Sequence, residues 1–328
     1  MKKTPLSIVK RDLSNQESLQ EISANDFAIT KPTLIVLDEN YVKRPQDLKN
    51  ILEVASSLVG LKSLKTRGVL NHQNVDVIGV SYGELDGQRD YTAVTTKEIN
   101  SLVDSLLMPL ALDSSGQKIQ LSQAQGNFGN VNFFSHGYGT MVINAMLSSL
   151  GQKMLSAGYN PQEILQIEQQ MTSVSYGPVA EVYNIPSLQI VSAKDGMSML
   201  PDGASAEFMQ LYYNVVRGNT KFSGNKLFKE DENTVTLFTS NMSLYPTNEH
   251  SITLLERSEF GEYTTLNGAN ADAVSKVASK VLTQALEIGV ENSQTKNAVL
   301  KPTADDMLNL GQSVLEKMPL APISDYEA

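Results

Sequence analysis

The sequence predicts an α/β fold, a mostly parallel central sheet with helices on both faces. Three observations carry it. From about residue 30 to 290, short apolar runs alternate with segments of helical apolar spacing. The runs have strand length, and the first of them, over 32–38, is continuously apolar, as in a strand buried on both faces. Strand–helix alternation repeated this often is how parallel neighbours are joined.

The elements follow in chain order. Residues 1–30 are polar and weakly patterned, and read as an N-terminal arm or a short edge element. Pro32-Thr33-Leu34-Ile35-Val36-Leu37-Asp38 is a buried strand closed by an acid. Leu48, Ile51, Leu52, Ala55, Leu58 and Val59 lie at helical spacing. Val75–Ser81 is the next strand, and Ile99, Leu102, Val103, Leu106, Leu107 and Leu110 form an apolar helical stripe. Asn130–Ser135 reads as a strand, followed by a helix with Met141, Val142, Ala145, Met146, Leu150 and Met154 on one face. Asn160-Pro161 opens a further helix, with Asn as cap and Pro in the first turn. Thr172–Tyr176 and Ser187–Ser192 are strands. A helical segment spans about 204–216, and 217–233 is a polar, exposed loop. Thr234–Thr239 is the last core strand, and a helix carries Val274, Val277, Ala278, Val281, Leu282, Ala285 and Ile288. Residues 31–290 thus form one domain. Residues 291–328 hold a C-terminal helix and tail, in which Pro302 and Thr303 precede an acidic first turn.

Composition narrows the chemistry. The chain has 328 residues, 26 Lys+Arg against 36 Asp+Glu, and no cysteine. Disulfides, Cys-ligated metals, iron–sulfur clusters and thiol nucleophiles are excluded. With only His72, His136 and His250, a His-rich metal centre is not expected, and no cofactor is implied. A formal charge of −10 argues against nucleic-acid binding, which needs clustered cations. No run reaches the roughly 18–20 apolar residues of a membrane-spanning helix. Lys10, Arg11 and Asp12 interrupt the apolar run that a signal peptide would need. The expected location is the cytoplasm, or outside by a route without a cleavable signal, and the composition suits a bacterial cytosolic or host-delivered protein.

The most informative segment is Phe133-Phe134-Ser135-His136-Gly137-Tyr138-Gly139-Thr140, where a buried strand turns sharply into a helix. Ligands gather at the carboxyl ends of parallel strands. The turn needs residues without bulk, which Ser135 and Gly139 provide on either side of the apex. This segment resembles the nucleophile elbow of the α/β-hydrolase family, small-x-Ser-x-Gly, as found in its esterases and lipases. The resemblance puts His136 in the second position and Gly137 where the nucleophile should stand. Glycine has no side chain with which to attack.

The same resemblance implies an acid at Asp195, with Asp202 as its rival, and a base at His250. It implies oxyanion donors at the Tyr138 N–H and in Asp38-Glu39-Asn40, near Glu39. Asp38 and Glu39 would oppose a developing oxyanion, a second departure from an active pattern. Ser135, His136 and Gly139 are the candidate ligand-contacting residues of the turn. Plainer readings stand beside these: His136 as a polar side chain under the turn, Gly137 as a corner needing positive φ, His250 as a solvated loop residue.

The expected function is therefore that of a catalytically silent hydrolase-like protein, a pseudoenzyme with a degenerate triad. It would bind a small acyl or apolar ligand or act as an interaction module. One alternative is an active serine esterase whose nucleophile is substituted or lies in another register. The other is a structural or partner-binding protein on an unrelated doubly wound sheet, with a protein partner or a second copy held by the C-terminal helix.

Overall fold

The computed structural model describes residues 7–11, 19–38, 48–58, 74–81, 91–178, 180, 182–192, 228–230, 234–239 and 278–287. They build an α/β fold on a nine-stranded mixed sheet. In chain order the strands are β1 (Ser7–Arg11), β2 (Leu19–Ser23), β3 (Thr33–Leu37), β4 (Asp76–Ser81) and β5 (Val131–His136). They continue with β6 (Thr172–Tyr176), β7 (Ser187–Ser192), β8 (Phe228–Glu230) and β9 (Thr234–Thr239). The spatial order is β2-β1-β4-β3-β5-β6-β7-β9-β8. Strands β4 to β9 pair in parallel through the middle, while β1, β2 and β8 add antiparallel edges.

The central strands match the apolar runs. All five residues of β3 and all six of β5 are buried. Successive side chains point to opposite faces. Ile35, Leu37, Val80 and Phe133 pack on one face in a cluster with Leu102, Leu106, Val142, Met146 and Leu150. These helical residues come from α2 (Tyr91–Leu102), the π turn Val103–Leu107 that continues it, and α4 (Gly139–Ser156). On the other face α1 (Lys49–Leu58) lies against β4, where a Cβ on Gly79 would meet Leu48 and Leu52. A helix over residues 278–287, α6, buries Ala278, Val281, Leu282, Ala285 and Leu286, and its Ser279 hydroxyl donates to the Leu58 carbonyl.

Two readings are corrected, one helix is added, and of the two readings of 1–30 the edge element is the one present. The segment 1–30 contains β1 and β2, which extend the sheet past β4. Its polarity reflects the exposed edge: every residue of β2 is intermediate or exposed. The loop read over 217–233 contains β8, paired with β9. A helix unforeseen in the sequence, α3 (Leu121–Phe128), buries only Ala124 and Phe128 and has Gly126 inside it. On α4, Met141 is 37% exposed, and Ile143 and Leu147 stand on the buried side instead. The segments 204–216 and 291–328 lie outside the described residues.

The capping expected at Asn160 is present in α5 (Pro161–Glu168). The Asn160 side chain accepts from the Glu163 N–H at 2.9 Å, and the Glu163 carboxylate accepts from the Asn160 N–H at 2.8 Å. Glu163 also holds Lys118 at 2.7 Å. Asn160→Ala is expected to cost about 1 kcal/mol in urea unfolding, because the Glu163 N–H loses its acceptor.

No helix among the described residues is long and apolar enough to cross a membrane.

Candidate functional site

The crossover from β3 leads to β4 on one side of it, whereas β5 leads to β6 on the other side. The sheet therefore reverses its winding between β3 and β5. In open α/β sheets the crevice outside the carboxyl ends of such a pair is where ligands bind. The turn singled out in the sequence lies at this place, at the end of β5.

Its geometry is that of a sharp corner. β5 ends at His136, Gly137 has φ +52°, and α4 starts at Gly139. The Gly137 N–H continues the ladder by donating to the Tyr176 carbonyl at 3.1 Å. The Gly137 carbonyl then accepts from the Thr140 N–H at 3.3 Å and from the Thr140 hydroxyl at 2.9 Å. A left-handed φ favours glycine, because a Cβ there approaches the following carbonyl oxygen. One strand and one helix are joined by two residues, and Gly137 takes the whole reversal.

Gly139 is required for a different reason. A Cβ built on it would lie 2.6 Å from the Leu37 carbonyl oxygen and 3.1 Å from the Leu37 Cβ. The first turn of α4 thus rests directly on the end of β3. Ser135, the other small residue, is fully buried and donates to Ser175 Oγ at 2.8 Å, and Ser175 stands 3.2 Å from Ser173 Oγ. The register places Gln189 beside Ser175 and Ser187 beside Ser173, both buried. Among the described residues, Gln189 Nε2 and Ser187 Oγ have no hydrogen-bond partner. A row of buried polar groups therefore crosses β5, β6 and β7 beneath the crevice.

His136 is 3% exposed, and its Nδ1 lies 3.0 Å from Asp38 Oδ1. A carboxylate oxygen accepts, so the hydrogen of this contact is donated from Nδ1. The Tyr176 ring stands 6.1 Å from the imidazole. Asp38 thus ties the end of β3 to the end of β5 across the crevice. The sequence reading gave Asp38 a place among the oxyanion donors, as an acid opposing charge there, and left its pairing unseen.

The structure brings together Ser135, His136, Gly137, Tyr138 and Gly139, and adds Asp38 and Tyr176 to them. Glu39, Asp195, Asp202 and His250 lie outside the described residues. Among the described residues, no group of three or more His, Asp or Glu side chains could hold a metal ion. No protein-family model and no curated protein matches this chain.

Proposed function

We propose that this is a catalytically silent α/β-hydrolase-like protein that binds a small acyl or apolar ligand at the crevice between β3 and β5. The observation that carries the reading is the corner itself. Gly137 sits at positive φ at the apex of a strand–helix turn, at the point where the sheet reverses its winding. Gly139 lets the helix rest on the neighbouring strand, as small flanking residues do in a nucleophile elbow. With no side chain at the apex, no acyl-enzyme can form there.

In this reading His136 and Asp38 fasten the crevice rather than act on substrate, because the imidazole is buried and its Nδ1 is engaged. The assignment of Asp195 and His250 as surviving acid and base belongs to the same proposal.

The test is labelling by a fluorophosphonate probe together with hydrolysis of p-nitrophenyl butyrate. The natural chain is expected to be silent in both assays. Gly137→Ser is expected to take the label at residue 137, at about 1 kcal/mol of stability for a Cβ in the left-handed region. Labelling of the natural chain near 135–138 would refute silence. A folded Gly137→Ser variant that stays unlabelled would remove the kinship.

A further inference from the structure

At the far end of α4 from the corner, a cleft of about 410 Å³ opens between α4, α5 and the segment 182–185. Leu147, Leu155 and Ile164 supply apolar walls, and Tyr183 and Asn184 close one side. Tyr183 is 59% exposed and Leu155 49% exposed, so two large apolar groups stand at the rim. A volume of this size is in the range of small-molecule sites.

The floor carries a charge-bearing group in an unusual position. Glu168, the last residue of α5, is 3% exposed and lines the cleft. None of the lining residues is Lys, Arg or His. Glu168 and Tyr183 are the titratable groups among them. The nearby charges of the same helices are committed elsewhere: Lys153 to Asp104 at 2.7 Å, and Glu163 to Lys118. Asn184 lines the cleft with Glu168 and stands at φ +66°, the one non-glycine residue at positive φ among the described residues. Burial pushes the Glu168 carboxyl up to about 7. An uncompensated buried carboxylate is what a cation would relieve.

We propose that this cleft binds an organic monocation, an alkylammonium whose charged head meets Glu168 and whose short apolar chain lies along Leu147, Leu155 and Ile164. The Tyr183 ring at the rim adds a face on which such a cation is attracted. The corner residues 135–140 are not among those lining the cleft, whose nearest lining residue on α4, Asn144, stands about 7.5 Å along the helix from Gly139.

The test is titration calorimetry of the full chain at pH 8 with n-hexyltrimethylammonium, and with n-hexanol as the uncharged counterpart. The cation is expected to bind at least tenfold more tightly than the alcohol. Glu168→Gln keeps the shape and is expected to weaken the cation at least tenfold while leaving the alcohol unchanged. Leu155→Lys, at a half-exposed position, brings a competing ammonium to the mouth and is expected to abolish cation binding. Absence of binding to the natural chain, equal affinity for cation and alcohol, or undiminished binding by folded Glu168→Gln would overturn the proposal.

Discussion

Replacing Gly139 with alanine is expected to lower the unfolding free energy by about 3 kcal/mol, at the upper end of what overpacking does. The added Cβ would stand 2.6 Å from the Leu37 carbonyl oxygen. That neighbour is backbone in the middle of the sheet, hydrogen-bonded into the ladder, and cannot rotate out of the way. Relief requires the first turn of α4 to lift off β3. Lifting it would also disturb Val142 and Ile143, buried one turn further along. Gly126→Ala is the matched control. Gly126 lies inside α3, and a Cβ there meets nothing within 4 Å. Alanine in a helix interior is worth about 0.5–1 kcal/mol over glycine. Urea unfolding of the two variants should therefore move in opposite directions. A Gly139→Ala variant as stable as the natural chain would mean that α4 does not rest on Leu37.

The second large effect is a pH dependence set by Glu168. Its carboxyl titrates at about 7 in the folded chain, against an ordinary value of 4.5. Below the lower value both folded and unfolded chains hold the proton. Between the two, the folded chain keeps a proton that the unfolded chain has released, so stability falls as pH rises. Above about 7 both are ionised, and the folded chain carries a charge that burial disfavours. The shift corresponds to about 3 kcal/mol lost across this window. Glu168→Gln has no such charge. It should match the natural chain near pH 4 and exceed it by about 3 kcal/mol at pH 8, read from urea midpoints at both values. An equal difference at both pH values would sink the assignment.

Much of the sheet was legible because buried parallel strands are written as uninterrupted apolar runs. Thr33–Leu37 has no solvent-facing side, so nothing breaks its pattern, while Val131–His136 is equally buried yet carries Asn132, Ser135 and His136 and was placed by Phe133-Phe134. The edges were not legible for the opposite reason. β1 ends in Lys10-Arg11, and Lys10 reaches Asp76 at 2.8 Å, a partner invisible from local sequence. α3 was missed because Ala124 and Phe128 are too few apolar positions to declare a face, and Gly126 argues against a helix. On α4 the stripe was set slightly off-phase, because Met141 is apolar yet stands outward and Ile143 was passed over.

The corner was legible because its chemistry is local: two glycines and a serine at fixed offsets, between a strand and a helix. The Asp38–His136 pair was not, since the partners are 98 positions apart and only the register of Leu37 against Ser135 joins them. A usable signal existed, because each residue directly follows an apolar strand run. Glu168 also had one. It falls with Ile164 and Ile167 on the buried stripe of α5, where an acid in an apolar row already asks what it is for.

The winding of the sheet also sets the order in which it can be completed during synthesis. β3 lies between β4 and β5, both of which follow it in the chain, and β1 finds its place against β4 only once Ser81 has been made. Until then the β1–β2 hairpin is the only pairing open to the described strands up to β3. Such non-local closure is slow. A nascent chain of about 130 residues therefore emerges with the edge of β3 that will receive β5 still bare, a row of unpaired N–H and C=O groups open to pairing with another strand.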